Sequence, residues 1–412
     1  MENRSMVASS SFGKGKEDAS FSAAGDAKKA IKIFGKTAIV DATLGVLKDE
    51  TASFASLESV RKVLDGLPSY EMMDYAPIEG DREFIEASMN YVFNDNLSDG
   101  MHRKAVATIG GSGAIHHMIK NYVEEGESFL IPEWHWGPYR EMASEMGRKF
   151  NKYNLFVENK FSLEPLKNSI RDLLDRQNSL MIVVNSPAHN PSGYSFTNEN
   201  WTELIDYLNS YAENKKIILL ADIAYIDYAD EPDKAREFMT CFNEISDKML
   251  VAVAFSMSKS FLMYGMRSGA LIGLAKDKDV VDEFFNVSKY SNRATWSNGV
   301  RGAQKVLVEM MKDKTLYEEV VKEREAYREI LKNRAHVFLE EAEEIELKTL
   351  PYTAGFFITI PYTDPVKLSK SLAEEKIYCI PLAEGVRLAI SAVQSDRIPG
   401  LATIVKEKLN SI

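Results

Sequence analysis

Lys259 sits inside AFSMSKSFLMYGMRSG, residues 254–269, a stretch otherwise built of apolar, hydroxylated and glycine residues until Arg267, eight positions on. A lysine at the end of a buried strand loses hydration, its pKa falls, and the amine becomes a usable nucleophile or base. Other apolar runs also end in groups able to do chemistry. KIILLA (216–221) is followed by Asp222 in DIAY, with the Tyr225 phenol three residues later; such an aspartate is costly to bury unless a cation or hydrogen-bond donors meet it. LMIVV (180–184) is followed by NSPAHNPSG, in which Asn190 precedes a proline and reads either as a turn residue or as a functional amide. AVATI (105–109) is followed by GGSGAI, where Gly111 and Ser112 expose N–H groups at a helix entrance. That is a candidate anion cradle, and equally a tight turn that needs glycine for steric reasons. It is not the dinucleotide fingerprint, because His116 stands three after Gly113. SFLI (128–131) leads into PEWHWGPY, whose Trp134 and Trp136 could pack internally or present a flat wall to a planar ring.

The runs that carry these residues are short, β-branched and free of polar alternation; LVAVAF (250–255) and GALIG (269–273) complete the set. Between them lie helical stretches at 113–126, 163–177 and 199–215. Strands apolar on both faces need crossover helices and a mostly parallel sheet, so the expected class is α/β. In an open parallel sheet, ligands bind beyond the carboxyl ends of the strands, where all the groups above fall. A charged stretch at about 300–345 reads as one solvated amphipathic helix linking two domains. After it, GFFITIP (355–361), IYCIPL (377–382) and VRLAIS (386–391) read as strands of a smaller α+β unit.

At 412 residues the chain is long enough for two domains and an enclosed site. With 50 Lys plus Arg against 61 Asp plus Glu, a net charge of -11 and no basic segregation, it is not expected to bind nucleic acid. No apolar run approaches the roughly 18 residues of a membrane span. Two distant cysteines, Cys241 and Cys379, offer neither a disulfide framework nor a metal site, which fits a reducing cytoplasm. The polar start, MENRSMVASSSFGKGKEDAS, resembles neither a secretory signal nor a transit peptide; if ordered, it needs a support such as a partner subunit.

An anion cradle, a flat aromatic wall, an acid, a phenol, an amide, a lysine and an arginine together suit pyridoxal 5′-phosphate. Its aldehyde takes a lysine, its ring nitrogen a carboxylate, its 3-oxygen donors, and its phosphate N–H, hydroxyl and guanidinium groups. From about residue 40 to the C-terminus the sequence resembles the class I aminotransferases of fold type I, and within them the aspartate and aromatic branch, with motifs in the family's order and similar spacings. The resemblance implies a large domain with a mostly parallel seven-stranded sheet flanked by helices, plus a smaller α+β domain drawn from both termini. The expected division is an N-terminal arm at 1–18, a small domain at 19–52 and 331–412, and a large cofactor-binding domain at 53–330.

Site roles follow from the resemblance. Lys259 in SMSKSF matches the lysine that takes the cofactor's aldehyde and then moves the proton from the substrate α-carbon. Asp222 matches the carboxylate that keeps the ring nitrogen protonated, while Tyr225 and Asn190 match the pair that hydrogen-bonds the 3-oxygen. Trp136 matches the ring-stacking tryptophan better than Trp134 does, because its eleven-residue spacing to Gly147 fits the family. Gly111, Ser112, Ser256 and Arg267 match the phosphate cup, and Tyr75 in DYAPIEG a tyrosine that reaches the neighbouring subunit's cofactor. That implies a homodimer with shared sites. Arg387 in VRLAIS matches the arginine that grips the α-carboxylate as a bidentate fork. Arg293 in NRATWSN matches the arginine contributed across the dimer to a side-chain carboxylate, and Gly45 in LGVLKD a glycine of the segment that closes over substrate.

The sequence departs from the aspartate enzymes in two places. GGS replaces Ser-Gly-Thr in the phosphate turn, and Pro138–Tyr139 replaces an Asn-His pair behind the tryptophan, so the electronics around Asp222 are expected to differ. The implied activity is a ping-pong transamination between an L-amino acid, aspartate or glutamate before aromatic ones, and a 2-oxo acid such as 2-oxoglutarate. A carbon–sulfur lyase or other α/β-eliminating enzyme would share Lys259, Asp222 and Arg387 but have less use for Arg293. More distant readings are a pyridoxal-binding regulator and an S-x-x-K acyl-transfer enzyme at Ser256–Lys259; the latter lacks any K-T-G or K-S-G partner motif.

Overall fold

The computed structural model describes residues 6–14 and 19–412, so residues 1–5 and 15–18 of the expected N-terminal arm lie outside the described residues. Contacts divide the chain into a larger unit, Phe54–Asn333 with Leu350–Phe356, and a smaller one. The smaller unit comprises the described residues up to Ser53, Arg334–Thr349 and Phe357–Ile412.

The larger unit is built on a seven-stranded sheet. Its strands are β1 (His102–Ile109), β2 (Ser128–Pro132), β3 (Lys149–Tyr153), β4 (Ser179–Asn185), β5 (Lys216–Asp222), β6 (Met249–Ser256) and β7 (Ser268–Ala275). Their order is β1-β7-β6-β5-β4-β2-β3. All neighbours pair in parallel except β7, which runs antiparallel to both β6 and β1. Every residue of β4, β6 and β7 is buried. Because side chains alternate across a strand, unbroken burial means that both faces are covered. On one face Met181, Val183, Ile218, Leu220 and Ala252 pack against Ile115, Met118 and Ile119 of helix α1 (Gly110–Tyr122). Ile182, Leu219, Val251 and Val253, which alternate with them, are just as buried.

Two expectations change here. Strand β3, KFNKY, has no apolar run to announce it; it is defined by its register with β2, from Ser128↔Lys149 to Pro132↔Tyr153. Exposed lysines on such an edge strand also discourage further pairing. The helix expected at about 300–345 is two helices, Arg301–Lys312 and Lys314–Glu344. They part at Asp313, whose extended backbone ends the first and whose carboxylate accepts the Leu316 N–H at 3.1 Å in the second. The first of them is not a solvated linker, since Ala303, Val306, Leu307, Val308 and Met310 are buried.

In the smaller unit β8 (Phe357–Pro361), β9 (Ile380–Pro381) and β10 (Gly385–Ala389) form an antiparallel sheet in the order β8-β10-β9. IYCIPL is therefore not one strand. Its first half, Ile377–Tyr378, pairs in parallel with Val40–Asp41, and only its second half joins β10. Arg334, fully buried, binds three of this unit's sequence segments together by donating to the Lys48 and Ser391 carbonyls and to Glu50 at 3.0–3.1 Å.

Beneath the sheet edge, Asp227 is buried with Arg236 (2.9 Å), Arg324 (3.5 Å) and the Tyr91 hydroxyl (2.6 Å). Burial alone would raise its pKa, but the Arg324 and Arg236 charges hold it well below the usual carboxylate range. A carboxylate depressed on folding contributes stability above its unfolded pKa, about 3.9, and loses it as pH falls toward the folded value. Asp227→Asn leaves two buried arginines without their counter-charge and should lower unfolding stability at pH 7 by about 3 kcal/mol. In denaturant titrations the gap to the wild type should narrow below about pH 4 as the wild type loses the same contribution; a gap constant from pH 7 to pH 3 would contradict this assignment.

Candidate active site

The carboxyl ends of β1, β4, β5 and β6 reach one edge of the sheet. Strand β7 runs the other way, so it begins at that edge: Ser268 pairs with Ile109 and Gly269 with Ser256. The residue just before β7, Arg267, is thereby brought beside the turn that follows β1. A cavity of about 180 Å³ opens there. Nine residues expected at the site line it: Gly111 and Ser112 after β1, Trp136 after β2, Asn190 after β4, Asp222 and Tyr225 after β5, and Ser256, Lys259 and Arg267 around β6 and β7.

At one end of the cavity the groups suit an anion. Gly110 has φ +64°, a conformation that favours glycine, and a Cβ there would stand 2.8 Å from Arg267 Nη2 and displace the guanidinium. A Cβ on Gly111 would close to 3.4 Å from the Ser256 Cβ. The turn therefore brings the N-terminal N–H groups of α1 close to a guanidinium and a hydroxyl, an arrangement that favours phosphate. Arg267 is held in place by its Nη1, which donates to the Tyr264 carbonyl at 3.0 Å and to Ser258 Oγ at 3.3 Å. Ser256 caps the short helix Met257–Ser260 by accepting the Ser258 N–H, and this sharp turn off β6 sets the position of Lys259.

The other end is acidic. Asp222, 4% exposed, has its Oδ1 met by the Ala224 N–H at 3.1 Å and its Oδ2 by the Tyr139 hydroxyl at 2.5 Å. Burial raises its pKa, while the Tyr139 and Ala224 hydrogen bonds and the Lys259 charge pull the other way. Asn185, at the end of β4 and level with Asp222 in the sheet, donates to the Asp222 carbonyl at 2.9 Å and accepts the Asn190 N–H at 2.8 Å. It thus locks the acid to the loop that carries Asn190. Lys259 Nζ lies 5.2 Å from the centre of the Tyr225 ring, and that ring packs edge-on against Phe356 at 5.3 Å. Trp136, half-buried, supplies the flat wall and meets Tyr139 edge-on at 5.5 Å.

Four expected residues do not line this cavity. Tyr75 is 82% exposed, and Arg293, also exposed, donates to Ser297 Oγ at 2.6 Å. Arg387 and Gly45 belong to the smaller unit. There Arg387 donates to the Thr43 carbonyl at 2.9 Å and stacks over Phe357 at 4.3 Å, and a Cβ on Gly45 would stand 2.4 Å from the same ring. Sequence reasoning missed Asn185 and the donor role of Tyr139. Asn185 carried a usable signal, a polar residue ending an apolar run just as Asp222 does; Tyr139 was marked by the Pro138–Tyr139 pair that stands where the aspartate enzymes have Asn-His, although its direct donation to Asp222, across 83 positions, comes only with the fold. Among the described residues no cluster of His, Cys, Asp or Glu is placed to hold a metal ion, and no helix is long and apolar enough to cross a membrane.

The family model described as "Aminotransferase class I and II" matches residues 43–403. A solved aminotransferase from Anaerococcus prevotii is 34% identical and superposes with a TM-score of 0.95, over 98% of this chain and 100% of that one. The cytoplasmic aspartate aminotransferase of Dictyostelium discoideum is 27% identical over 289 residues, 67% of this chain and 63% of the relative's length. The aromatic-amino-acid aminotransferase of Burkholderia pseudomallei, solved covalently bound to pyridoxal phosphate, is 17% identical with a TM-score of 0.81 over 98% of this chain and 100% of that one, a likeness of fold. Matched over most of its length by the family model, this chain belongs to the class I and II aminotransferases.

Proposed function

We propose that the protein is a pyridoxal 5′-phosphate-dependent transaminase that moves the amino group of an L-amino acid to a 2-oxo acid in two half-reactions. The observation that carries this reading is the presence of Lys259, Asp222 and Arg267 on one cavity, with Trp136 beside them. The cradle at Gly110–Gly111, which a Cβ would fill, fits the cofactor's phosphate, and Ser112, Ser256 and Arg267 supply its hydroxyl and guanidinium partners. Trp136 would lie against the cofactor's ring, Asp222 would pair with its ring nitrogen, and Tyr225 and Asn190 would hold its 3-oxygen. When bound, the cofactor supplies an electrophilic aldehyde carbon and a ring able to accept electrons from the substrate's α-carbon.

The chain's own groups do the rest. Lys259 would hold the cofactor's aldehyde carbon through its amine, with loss of water, and when free of it would take the proton from the substrate's α-carbon as base and give one back as acid. Asp222 stays close to a cation throughout, which offsets the cost of its burial. Arg387 holds the substrate's α-carboxylate with its planar fork, and Gly45 belongs to the segment that closes over it. Tyr75 and Arg293 act on the neighbouring subunit's site in a cytoplasmic homodimer, Tyr75 at the phosphate and Arg293 at a substrate side-chain carboxylate. Their exposure in the single chain supports that reading. Aspartate and glutamate are the preferred donors and 2-oxoglutarate an acceptor, with aromatic amino acids taken when Arg293 swings aside.

Single amino acids added to the holoenzyme, without any 2-oxo acid, report the first half-reaction through the visible absorbance of the bound cofactor. Aspartate and glutamate should discharge it and yield their 2-oxo acids; if both fail while a cysteine conjugate yields pyruvate and ammonia, the protein is a lyase instead. Arg293→Ala should raise KM for dicarboxylic substrates by roughly tenfold or more, the cost of a lost charge-assisted hydrogen bond, and leave phenylalanine nearly unchanged. Equal losses for both classes would remove Arg293 from substrate recognition. Arg267→Ala should weaken cofactor retention in equilibrium dialysis by about tenfold or more, and unchanged retention would place the phosphate elsewhere.

A further inference from the structure

The turn that carries Lys259 is gripped from behind as well as from the cavity. It leaves β6 as the short helix Met257–Ser260 and ends at Leu262, whose N–H donates to the Lys259 carbonyl at 3.2 Å. Leu262 has φ +52°, a left-handed backbone that is costly for a residue with a Cβ and persists only where the surroundings over-determine it. Two buried side chains from distant helices supply those surroundings. Tyr91, in the helix Arg82–Phe93, packs its ring against Phe255 at 5.4 Å and Phe261 at 5.2 Å, the two residues that flank Ser256–Ser260. Arg324, in the helix Lys314–Glu344, sends its Nη1 to the Ser260 carbonyl at 3.1 Å and to the Tyr91 hydroxyl at 2.8 Å. Burial pushes that hydroxyl well above its ordinary value, so it stays protonated and donates onward to Asp227 Oδ2 at 2.6 Å. Asp227 belongs to the turn Ile226–Tyr228, directly after Tyr225. The contacts therefore join the back of the Lys259 turn to the segment that carries Tyr225, whose ring centre lies 5.2 Å from Lys259 Nζ.

We propose that Arg324 is a positioning residue that, with Tyr91, clamps the reactive turn from outside the cavity and fixes where Lys259 stands relative to Tyr225. The proposal rests on the role given to Lys259 above. Arg324 does not line the cavity and acts on the amine only through the Ser260 carbonyl. A carbonyl at the end of a short helix is left without an intrahelical partner, and a guanidinium there meets the negative end of the local dipoles. Without that grip the turn relaxes the left-handed backbone at Leu262, and the amine leaves the place from which it reaches the α-carbon; a misplacement of about 1 Å lowers a rate by as much as roughly 10²-fold. Arg236 provides a matched comparison. It pairs with the same Asp227 carboxylate at 2.9 Å, but its Nε donates to the Tyr91 carbonyl at 2.9 Å rather than to the reactive turn.

The test compares the wild type, Arg324→Met, Arg324→Lys and Arg236→Met by two readings. One is amide hydrogen exchange in the peptide spanning residues 257–262 of the protein without cofactor; the other is the rate at which the amino acid that best discharges the wild-type holoenzyme removes its visible absorbance. Arg324→Met should exchange that peptide about tenfold faster and lower the limiting rate about tenfold, with half-saturation changed by no more than about twofold, as expected for one lost charge-assisted hydrogen bond. Arg324→Lys keeps a cation beside Asp227 without the planar fork, and should show both deficits in milder form. Arg236→Met should unfold at lower denaturant concentration yet keep both wild-type readings. Wild-type exchange and rate in Arg324→Met, or in Arg324→Lys should the Met variant not fold, would overturn the proposal, and so would faster exchange with an unchanged rate. The same deficits in Arg236→Met would overturn it as well, by tracing them to a loosened ion cluster. A wild type that binds no pyridoxal phosphate would instead overturn the function proposed above, while the exchange readings still decide whether Arg324 holds the turn.

Discussion

The site depends on a buried carboxylate. Asp222 ends a strand whose preceding five residues are all buried, in a place where a lone negative charge would be costly. Three groups offset that cost: the Tyr139 hydroxyl, the Ala224 N–H and the nearby Lys259 amine. Each comes from a different local structure, and each is held by a reason of its own. Tyr139 is set by helix packing on the sheet, Ala224 by the turn after β5, and Lys259 by the cap that Ser256 makes at the end of β6. The geometry of the acid and the geometry of the reactive amine are therefore one problem with one solution.

The reversed strand solves the opposite problem at the other end of the cavity. An anion cradle needs a cation held near helix N–H groups. A parallel strand would present its carboxyl end here, whereas β7, lying between β1 and β6, presents its beginning, so Arg267 arrives between the turn that follows β1 and the turn that follows β6. Gly110 and Gly269 leave the space for that approach, since a Cβ on Gly269 would stand 2.3 Å from the Phe255 carbonyl oxygen. Below both ends, Arg324 donates to the carbonyl of Ser260, the residue after Lys259, and joins the reactive turn to the Asp227 ion cluster. The electrostatic core of the larger unit thus supports the loop that carries the lysine.

Much of this was legible in the sequence because strands buried on both faces are written as unbroken apolar runs, and the residues that end them stand out. Gly111, Asn190, Asp222, Ser256, Lys259 and Arg267 were each visible in that way, and each lines the cavity. What escaped was information held by pairing or by distance. Strand β3 has a polar sequence and exists through its register with β2. The break at Asp313 depends on one capping carboxylate within a stretch of continuous helical pattern. Tyr139 was marked by standing where the aspartate enzymes have a histidine, but its hydroxyl meets Asp222 only once the fold closes 83 positions.

The central claim is that Lys259 is the residue to which the cofactor is joined. Reduction of the holoenzyme with borohydride, followed by proteolysis and mass spectrometry, reads that bond directly. The account predicts one pyridoxyl group per chain, on the peptide that contains Lys259; a pyridoxyl group on any other lysine, or none after reduction of pyridoxal phosphate-saturated protein, would contradict it.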